Sequence, residues 1–159
     1  MDKLWAPWRI TYVSNTKAKG CIFCKAVKAK RDKNNFVVFR SAYSFAILNA
    51  FPYNNGHVMV VCKRHVASIE NLTNCEILDM NKVVKKMISA LRAVLKPAGF
   101  NVGINLGKVS GAGIDKHLHI HIVPRWMGDT NFMPVLSDTK IISQSLGELY
   151  KKLKKYIDG

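Results

Sequence analysis

The chain has 159 residues, 48% of them hydrophobic, which fits one domain with a buried core. No apolar run approaches the roughly 18 residues that a membrane span requires, and the charged residues among Met1 to Ile10 exclude a signal peptide, so a cytoplasmic location is expected. The excess of 25 Lys and Arg over 10 Asp and Glu favours an anionic partner such as a nucleotide, a polyphosphate or nucleic acid, although lysines on solvated helix faces would give the same excess.

The first half of the chain predicts an arm, a helix and three strands. Residues 1–20 are expected to form an irregular N-terminal arm, and Cys21 to Lys30 a short helix. The Pro, Asn and Gly content of Phe51 to Gly56 predicts a loop. The strands are expected at Phe36 to Arg40, Tyr43 to Leu48 and His57 to Val61, the last nearly all apolar and therefore central.

A long helix follows these strands. Thr73 and Glu76 have the spacing of a capping box, which satisfies backbone donors that the first helical turn leaves open. Pro97 and Gly99 are expected to end the helix. One apolar stripe recurs at steps of three and four residues, at Ile77, Met80, Val84, Met87, Leu91 and Val94.

The last third of the chain predicts two more strands and a final helix. Residues 101–106 are expected to form the fourth strand, and Gly107 to Gly113 a glycine-rich loop. His117 to Val123 is expected to be the fifth strand, closed by Pro124. Residues 125–159 form a C-terminal segment with a helix at Ile142 to Ile157. Strands in hairpin order with one long crossover helix predict a single α+β domain over residues 1–159, with a mostly antiparallel five-stranded sheet and one or two shorter helices.

The most informative motif is the run His117-Leu118-His119-Ile120-His121. Side chains alternate along a strand, so the three imidazoles share one face while the aliphatic residues face the core. Imidazoles serve poorly as packing because each buried ring needs partners for two nitrogens. A chance run of surface histidines is disfavoured by this alternation. A catalytic metal bound by three histidines is a rival, although residues two apart on one strand converge poorly on one ion.

A glycine-rich loop precedes this strand. Gly111-Ala112-Gly113 leaves backbone N–H groups unobstructed, and such a nest can hold phosphate oxygens. Glycine loops are also common turns, so the loop is weak evidence alone. With the histidines it predicts phosphate chemistry, since a neutral imidazole attacks phosphorus and the phosphoramidate formed can be cleaved again.

These motifs resemble those of the histidine triad family of nucleotidyl hydrolases and transferases. The run H-L-H-I-H-I-V looks like the family signature, and Asn105-Leu106-Gly107 resembles its phosphate-side asparagine motif. Leu48 to Val61 is similar to the family's first strand pair. Val123 to Pro134 and the opening L-W-A-P-W-R resemble the branch that contains bacterial diadenosine tetraphosphate phosphorylases. The resemblance covers nearly the whole chain with its motifs in order.

The resemblance implies a role for each matching position. His119 would be the nucleophile on the α-phosphate, and His121 would bond the phosphoryl oxygens or the leaving group. His57 would orient the neighbouring imidazole and phosphate groups from the adjacent strand. The implied phosphate ligands are Asn105, Gly111, Ala112 and Gly113, the glycine-loop residues acting through backbone N–H groups. The residues that would enclose the base are Ile22, Phe23 and Ile47, which could equally be ordinary core.

Two positions depart from the family pattern. Asn49 stands where many members carry an aspartate that bonds the ribose hydroxyls; it can still bond them but lacks the charge. Ile114 stands where the smaller hydrolases have a serine that assists the scissile phosphate. The isoleucine argues against a general nucleoside phosphoramidase and for the phosphorylase branch.

Cys21-Ile22-Phe23-Cys24 has the spacing of a zinc knuckle, although a redox pair or coincidence would give the same spacing. A metal would need two further ligands, for which His65 and His117 are the candidates. The resemblance implies that these residues close a Cys-Cys-His-His site for a structural Zn²⁺, with no open coordination position. Cys62 and Cys75 lie in apolar stretches and are expected to be small core residues.

The function that the motifs and the resemblance imply is cleavage of a dinucleoside polyphosphate, with diadenosine tetraphosphate as the expected substrate, through a nucleotidyl-histidine intermediate. Phosphate or water would be the acceptor, a choice that the sequence leaves open. A general phosphoramidase or nucleotide hydrolase, and a zinc-stabilised nucleotide-binding or nucleic-acid-binding module without turnover, are the alternatives. Aromatic residues are sparse within the lysine runs, which disfavours nucleic acid. The resemblance also implies a homodimer or higher homo-oligomer that extends the sheet.

Overall fold

A five-stranded antiparallel sheet forms the centre of the computed structural model, which describes residues 20–29, 31–130 and 142–159. The strands are β1 (Val37–Arg40), β2 (Ser44–Leu48), β3 (Val58–Cys62), β4 (Gly99–Ile104) and β5 (His119–Arg125). The helices are α1 (Ile22–Ala29), α2 (Asp32–Asn35), α3 (Asn74–Leu95) and α4 (Leu146–Asp158), with short 3₁₀ turns at Ile69–Asn71 and Lys108–Ser110. The strand order is β1-β2-β3-β5-β4, and each neighbouring pair is antiparallel. The predicted α+β class and five-stranded sheet are confirmed.

Helix α3 begins at the predicted capping box. The Thr73 hydroxyl accepts from the Glu76 backbone N–H, and the Glu76 carboxylate accepts from the Thr73 N–H at 2.8 Å. The predicted stripe is buried from Met80 to Leu91, whereas Ile77 in the first turn is 39% exposed. This stripe packs α3 on the sheet, and α4 packs beside it. Burial of these aliphatic side chains provides most of the driving force for folding on this face.

The two faces of the sheet carry different contents. Leu118 and Ile122 point into the larger core under α3 and α4, together with Val58 and Val60. A smaller cluster on the opposite face contains Phe23 and Ala26 of α1 with Val37, Phe45, Ile47, Met59 and Val61. The alternation of β5 therefore puts its aliphatic residues into the larger core and leaves its histidines beside α1, as the pattern predicted.

Several element boundaries differ from the sequence-based expectations. Pro124 does not close the fifth strand, because it lies beyond the end of β3 and only β4 pairs with it, opposite Phe100. A proline is tolerated where one side of a strand has no partner. The final helix begins at Leu146 rather than Ile142, since Ser145 provides the N-cap by accepting from the Glu148 N–H.

One cysteine expectation is confirmed and the other is wrong. Cys62 is fully buried in β3, whereas Cys75 lies exposed in the first turn of α3, on the side that faces away from the sheet. Among the described residues, no helix is both long and apolar enough to cross a membrane. Residues 1–19 of the expected arm, and residues 131–141 of the C-terminal segment, lie outside the described residues.

Candidate active site and metal centre

Three of the predicted histidines form one buried cluster. His119 and His121 project from β5, and His57 immediately precedes β3, the adjacent strand. All three are less than 9% exposed, and the His119 and His121 rings meet edge to face with centroids 4.7 Å apart. The antiparallel register thus brings together residues that are more than sixty positions apart in the chain. We call His57, His119 and His121 the catalytic cluster, after the role that was predicted for them from the sequence.

The hydrogen bond of His119 identifies its reactive nitrogen. Its Nδ1 lies 2.8 Å from the backbone carbonyl oxygen of His117. A carbonyl can only accept, so Nδ1 carries the proton and donates it, and Nε2 keeps the free lone pair. The Phe23 ring packs against this imidazole with centroids 5.2 Å apart and limits its movement. A neutral imidazole held by one nitrogen with the other free is the form that nucleophilic attack requires.

A directed chain of hydrogen bonds ends at His121. The Tyr53 backbone N–H donates to His57 Nδ1 at 3.1 Å, which makes that nitrogen an acceptor. His57 therefore carries its proton on Nε2 and donates to His121 Nδ1 at 2.9 Å. His121 must then carry its proton on Nε2, a buried atom with no hydrogen-bond partner among the described residues. An unsatisfied buried donor is costly, and it marks the place where an acceptor from a substrate would bind.

Burial keeps this cluster neutral. Desolvation lowers the pKa of His57 to about 3, with smaller contributions from the His121 and His119 imidazoles. Desolvation also lowers the pKa of His121 to about 4, again with a contribution from His119. The pKa of His119 is lowered by the same cause, opposed by its bond to the His117 carbonyl. At neutral pH His119, the predicted nucleophile, is therefore unprotonated, and the hydrogen-bond chain is intact.

Tyr53 is a site residue that the sequence-based reading treated only as part of a loop. Its ring lies 4.6 Å from the His57 ring and stacks on His121 at 5.6 Å with an interplanar angle of 29°. On its other side Tyr53 lines a cavity of ≈ 310 Å³ with Asn54, Asn101, Val123 and Arg125. Tyr53 could have been predicted as a site residue because it is an aromatic residue in the loop that directly precedes His57.

The guanidinium of Arg125 is already paired. It contacts the carboxylate of Asp129 and donates to Asn101 Oδ1 at 2.8 Å. Asn54 is held to the same carboxylate at 2.8 Å and to the Pro124 carbonyl at 3.0 Å. One wall of the cavity is therefore fixed by an ion pair and amide contacts, and Arg125 has little freedom to bind a phosphate.

The loop that was expected to bind phosphate contains two glycines with positive φ. Gly107 and Gly111 have φ values of 78° and 90°, a backbone region that residues other than glycine rarely adopt. The amide nitrogen of Asn105 lies 3.8 Å from where a Cβ on Gly111 would stand, so this side chain and the loop are neighbours. Ala112 is buried and Gly113 is exposed. Their proposed contacts with phosphate remain predictions.

The residues expected to enclose a base separate into buried and exposed groups. Phe23 and Ile47 lie in the smaller core, and Ile114 packs against it. Ile22 is 48% exposed on the surface of α1. Asn49 is partly buried at the end of β2, with its side chain on the loop that leads to His57. Base and ribose recognition by these residues stays a prediction.

The second cluster contains the four residues proposed as metal ligands, and we call it the metal cluster. The Nδ1 atom of His117 lies 3.2 Å from Cys21 Sγ, 3.7 Å from Cys24 Sγ and 3.1 Å from His65 Nδ1. Cys24 Sγ lies 3.3 Å from His65 Nδ1, and all four ligand atoms lie within 4.8 Å of one another. A tetrahedral ion with bonds of about 2.0 to 2.3 Å separates its ligands by about 3.3 to 3.8 Å, so these four residues could hold a metal.

The surroundings of this cluster also suit a metal. His117 Nε2 donates to the backbone carbonyl of Cys62 at 2.7 Å, which leaves Nδ1 unprotonated and facing the thiols. Ligating histidines commonly hold their second nitrogen in this way. Beside His65, Arg64 makes a two-point ion pair with Glu76, at 2.8 and 2.7 Å. The carboxylate that caps α3 therefore also anchors the loop carrying one of the ligands.

The sequence of the chain is similar to those of known proteins. Residues 30–127 match the family model described as HIT domain. The chain is 37% identical to the AP-4-A phosphorylase of Mycobacterium tuberculosis over 161 residues, which cover 96% of this chain and 83% of that protein.

Solved structures share the fold. A hypothetical histidine triad nucleotide-binding protein from Sulfolobus tokodaii superposes with a TM-score of 0.70 at 26% identity, over 87% of this chain and 92% of that one. A Zn-bound histidine triad family protein from Mycobacterium smegmatis gives a TM-score of 0.70 at 24% identity, over 87% and 94% of the two chains, and shows a similarity of fold alone. With the histidine cluster on the sheet and the family match over most of its length, the chain belongs to the HIT family of nucleotide hydrolases and transferases.

Proposed function

We propose that this protein cleaves dinucleoside polyphosphates, with diadenosine tetraphosphate as the preferred substrate, through a nucleotidyl intermediate on His119. The observation that carries this proposal is the assignment of protons in the catalytic cluster. His119 offers a lone pair on Nε2, and the neighbouring His121 offers an unsatisfied N–H on its own Nε2. A nucleophile beside a donor is the arrangement that in-line transfer of a nucleotidyl group requires.

The proposed reaction has two steps. His119 Nε2 forms a bond to the α-phosphorus, and the bond from that phosphorus to the bridging oxygen of the leaving nucleotide breaks. The N–H of His121 stabilises the charge that develops on the phosphoryl or leaving oxygen. An acceptor oxygen then attacks the same phosphorus and releases the imidazole with its lone pair restored. Asn105 and the amides of Ala112 and Gly113 would bind the non-bridging oxygens.

The identity of the substrate rests on similarity to a relative. The Mycobacterium tuberculosis protein, 37% identical over almost the whole chain, is named for the phosphorolysis of this dinucleotide. Ile114, which packs against the apolar cluster containing Phe23, supports the same branch over a general phosphoramidase. With phosphate as the acceptor the products are ATP and ADP; with water they are ATP and AMP.

We also propose that the metal cluster holds Zn²⁺. Two thiols and two imidazoles at tetrahedral spacing form a closed set of soft and borderline ligands, which zinc favours. The bound ion would supply folding stability, since four protein ligands leave no position for substrate. Cys21 and Cys24 would bind as thiolates from the start of α1, fixing that helix over the histidine face of the sheet.

The chain is further proposed to form a homodimer through β4. Among the described residues this strand lies at one edge of the sheet and pairs only with β5, and its central residues from Asn101 to Gly103 are exposed. An edge strand with an exposed Val102 can add strands from a second copy. Sedimentation at assay concentrations should give twice the chain mass, and Val102→Lys should shift it towards one chain. A wild-type protein that sediments as one chain would contradict this proposal.

One experiment tests the proposed function directly. The protein is incubated with diadenosine tetraphosphate with and without inorganic phosphate, and the products are separated. ADP that appears only with phosphate identifies a phosphorylase, and AMP under both conditions identifies a hydrolase. A parallel reaction with adenosine phosphoramidate measures the competing activity. Faster turnover of the phosphoramidate, or no turnover of the dinucleotide, would refute the proposed substrate.

A further inference from the structure

The cavity beyond Tyr53 is a feature that the two proposed reaction steps do not use. It has a volume of ≈ 310 Å³, and its lining residues are Tyr53, Asn54, Asn101, Val123 and Arg125. Small-molecule sites in proteins begin at about 300 Å³. The cavity is therefore large enough for one ring system of a nucleotide but not for a whole dinucleotide.

The register of the sheet places this cavity beside His121 on the histidine face. Val123 follows His119 and His121 at steps of two along β5, so the three side chains share one face. Asn101 of β4 pairs with Val123 and lies on the same face. At the usual rise per residue, Val123 stands roughly 7 Å from His121. The Phe23 ring contacts His119 instead, so the cavity lies on the opposite side of His121 from Phe23.

Asn54 presents an acceptor to the cavity. Its Nδ2 group donates to the Pro124 carbonyl at 3.0 Å and to the Asp129 carboxylate at 2.8 Å, so both amide protons are used. Its Oδ1 atom has no partner among the described residues, although the residue is only 7% exposed. In that part of the chain, His121 Nε2 is the one fully buried side-chain nitrogen or oxygen without a partner. The Asn54 oxygen is therefore accessible from the cavity that this residue lines.

Asn101 supplies a donor, and the charges nearby cancel. The Arg125 guanidinium donates to Asn101 Oδ1 at 2.8 Å, which fixes the amide and leaves its Nδ2 group as the end that can bind a ligand. Arg125 also pairs with the Asp129 carboxylate at two points. A phosphate group therefore finds no unpaired cation in these walls, and a neutral polar ligand fits them better.

The walls match the chemistry of a nucleobase. The Tyr53 ring is 54% exposed and offers an aromatic surface on which a base can stack. The acceptor of Asn54 and the donor of Asn101 complement an edge that carries a donor beside an acceptor. Adenine has such an edge, formed by its amino group and N7, whereas ribose and phosphate have no aromatic face.

We propose that this cavity binds the base of the leaving nucleotide, which makes the site selective for substrates with a nucleoside at each end. The inference rests on the proposed function, because only a dinucleotide carries a second base. In-line displacement sends the leaving group to the side of phosphorus opposite the nucleophile. Away from His119, the row of β5 side chains runs past His121 to Val123, and the leaving nucleotide follows this direction. The base of the transferred nucleotide stays on the side of Phe23.

Nuclear magnetic resonance of the free and ligand-bound protein tests the location. The His119→Ala variant is used because it cannot form the intermediate. Diadenosine tetraphosphate should shift the side-chain amide signal of Asn101 and the ring signals of Tyr53. Adenosine tetraphosphate, which has the same phosphates but one base, should leave these signals close to their free positions. Equal shifts with the two ligands, or no shift with either, overturn the inference.

Asn101→Asp tests the contact in the same background. The aspartate keeps an oxygen for Arg125 but replaces the donor by an acceptor, which repels the ring nitrogen of adenine. Calorimetry should give a Kd for diadenosine tetraphosphate that is about tenfold higher, the scale of one hydrogen bond, and a Kd for adenosine tetraphosphate that changes by less than about threefold. Asn81→Asp, exposed on α3 across the sheet, is the matched control for the added charge and should leave both values unchanged.

The remaining outcomes separate the base site from the proposed function. Equal weakening of the two ligands by Asn101→Asp would show that the added charge acts on the phosphates, and it would overturn the inference. A protein whose cavity signals shift with the dinucleotide, but whose wild-type form does not cleave it, would instead refute the proposed function. Cleavage of the dinucleotide without these shifts would retain the function and reject the base site.

Discussion

The catalytic cluster and the metal cluster both contain histidines, but the ring nitrogens of these histidines have different partners in the two clusters. This difference arises although His117 and His119 stand only two residues apart on one face. In the metal cluster the Nδ1 atoms converge and the second nitrogen of His117 is tied to the Cys62 carbonyl. In the catalytic cluster the nitrogens form a directed chain, and at its end an N–H lacks a partner. The chemistry of a histidine is thus decided by what holds its other nitrogen, more than by its place in the motif.

The two clusters also meet in one residue. The ring of His117 belongs to the metal cluster, while its backbone carbonyl holds Nδ1 of His119. Phe23 contacts both rings, with centroids 5.3 Å from His117 and 5.2 Å from His119. A disturbance of the metal cluster should therefore reach the nucleophile through two short paths. The predictions that follow test how separable the clusters are.

The largest effect is expected for His119→Ala. Removing the nucleophile should lower kcat by about 10³-fold or more, because no other described group offers a free nitrogen in the same position. Binding of a non-cleavable dinucleotide analogue, measured by calorimetry, should persist. Retention of near-normal turnover would show that the nucleophile is wrongly assigned.

His121→Phe is the next largest. Phenylalanine can keep the ring contact with Tyr53 but has no N–H for the substrate, so kcat should fall by about 10²-fold with a smaller change in affinity. Single-turnover measurements should show that formation of the nucleotidyl intermediate is the slowed step. A normal rate of formation would mean that another group supplies the donor.

Cys24→Ser removes one ligand of the metal cluster and changes no residue of the catalytic cluster. Loss of a ligand should lower zinc content, measured by a chromogenic chelator, and reduce Tm by about 10 °C or more. Cys75→Ser is the matched control, since Cys75 is exposed and outside both clusters, and it should leave both quantities unchanged. A zinc-free wild-type protein with the same Tm would contradict a structural role for the metal.

The smallest effect is a pH dependence that distinguishes buried imidazoles from free ones. Burial lowers the pKa of His121 to about 4 and that of His57 to about 3, so both stay neutral as the pH falls through the ordinary value of about 6.5. We expect kcat/KM to change by less than about threefold between pH 8 and pH 6, with the acidic loss of activity at lower pH. An acidic limb centred near pH 6.5 or above would show that the imidazoles are solvated.

The same lowered pKa values make the protein less stable in acid. In the unfolded chain both histidines titrate near pH 6.5, so below that pH the unfolded state binds more protons than the folded state. The free energy of unfolding should therefore decrease as the pH is lowered from about 6.5 towards 4. Urea unfolding at pH 7.5 and pH 5 measures the difference, and His57→Gln should reduce it. Equal stability at both pH values would contradict burial of neutral imidazoles.

Local patterns predicted the parts of this fold that depend on local physics. The period of two in the histidine run predicted which residues face the core, and the Thr73–Glu76 spacing predicted the start of α3. Boundaries that depend on neighbouring strands were harder to place. Pro124 remains in β5 because it lies past the first residue of β3, so its missing N–H interrupts no pairing with that strand. Cys75 resembled a core residue because its sequence neighbours are apolar. Its exposure is decided instead by its position around the helix.

The residues of the candidate site could be predicted from the sequence, but the nitrogens that carry their protons could not. The order of the motifs predicted that His57, His119 and His121 belong to one site, and the structure places their rings in contact. The direction of their hydrogen bonds depends on backbone groups such as the Tyr53 N–H and the His117 carbonyl, which every residue possesses and no motif reveals.

Glu76 shows how two structural contacts can restrict one position to a single type of side chain. Its carboxylate receives the Thr73 N–H at the start of α3 and grips the guanidinium beside His65. Glutamine could imitate the first contact but not the charge of the second, and aspartate falls one methylene short of both. Most substitutions at Glu76 should therefore lower the stability of the fold, although the residue is not part of the catalytic cluster.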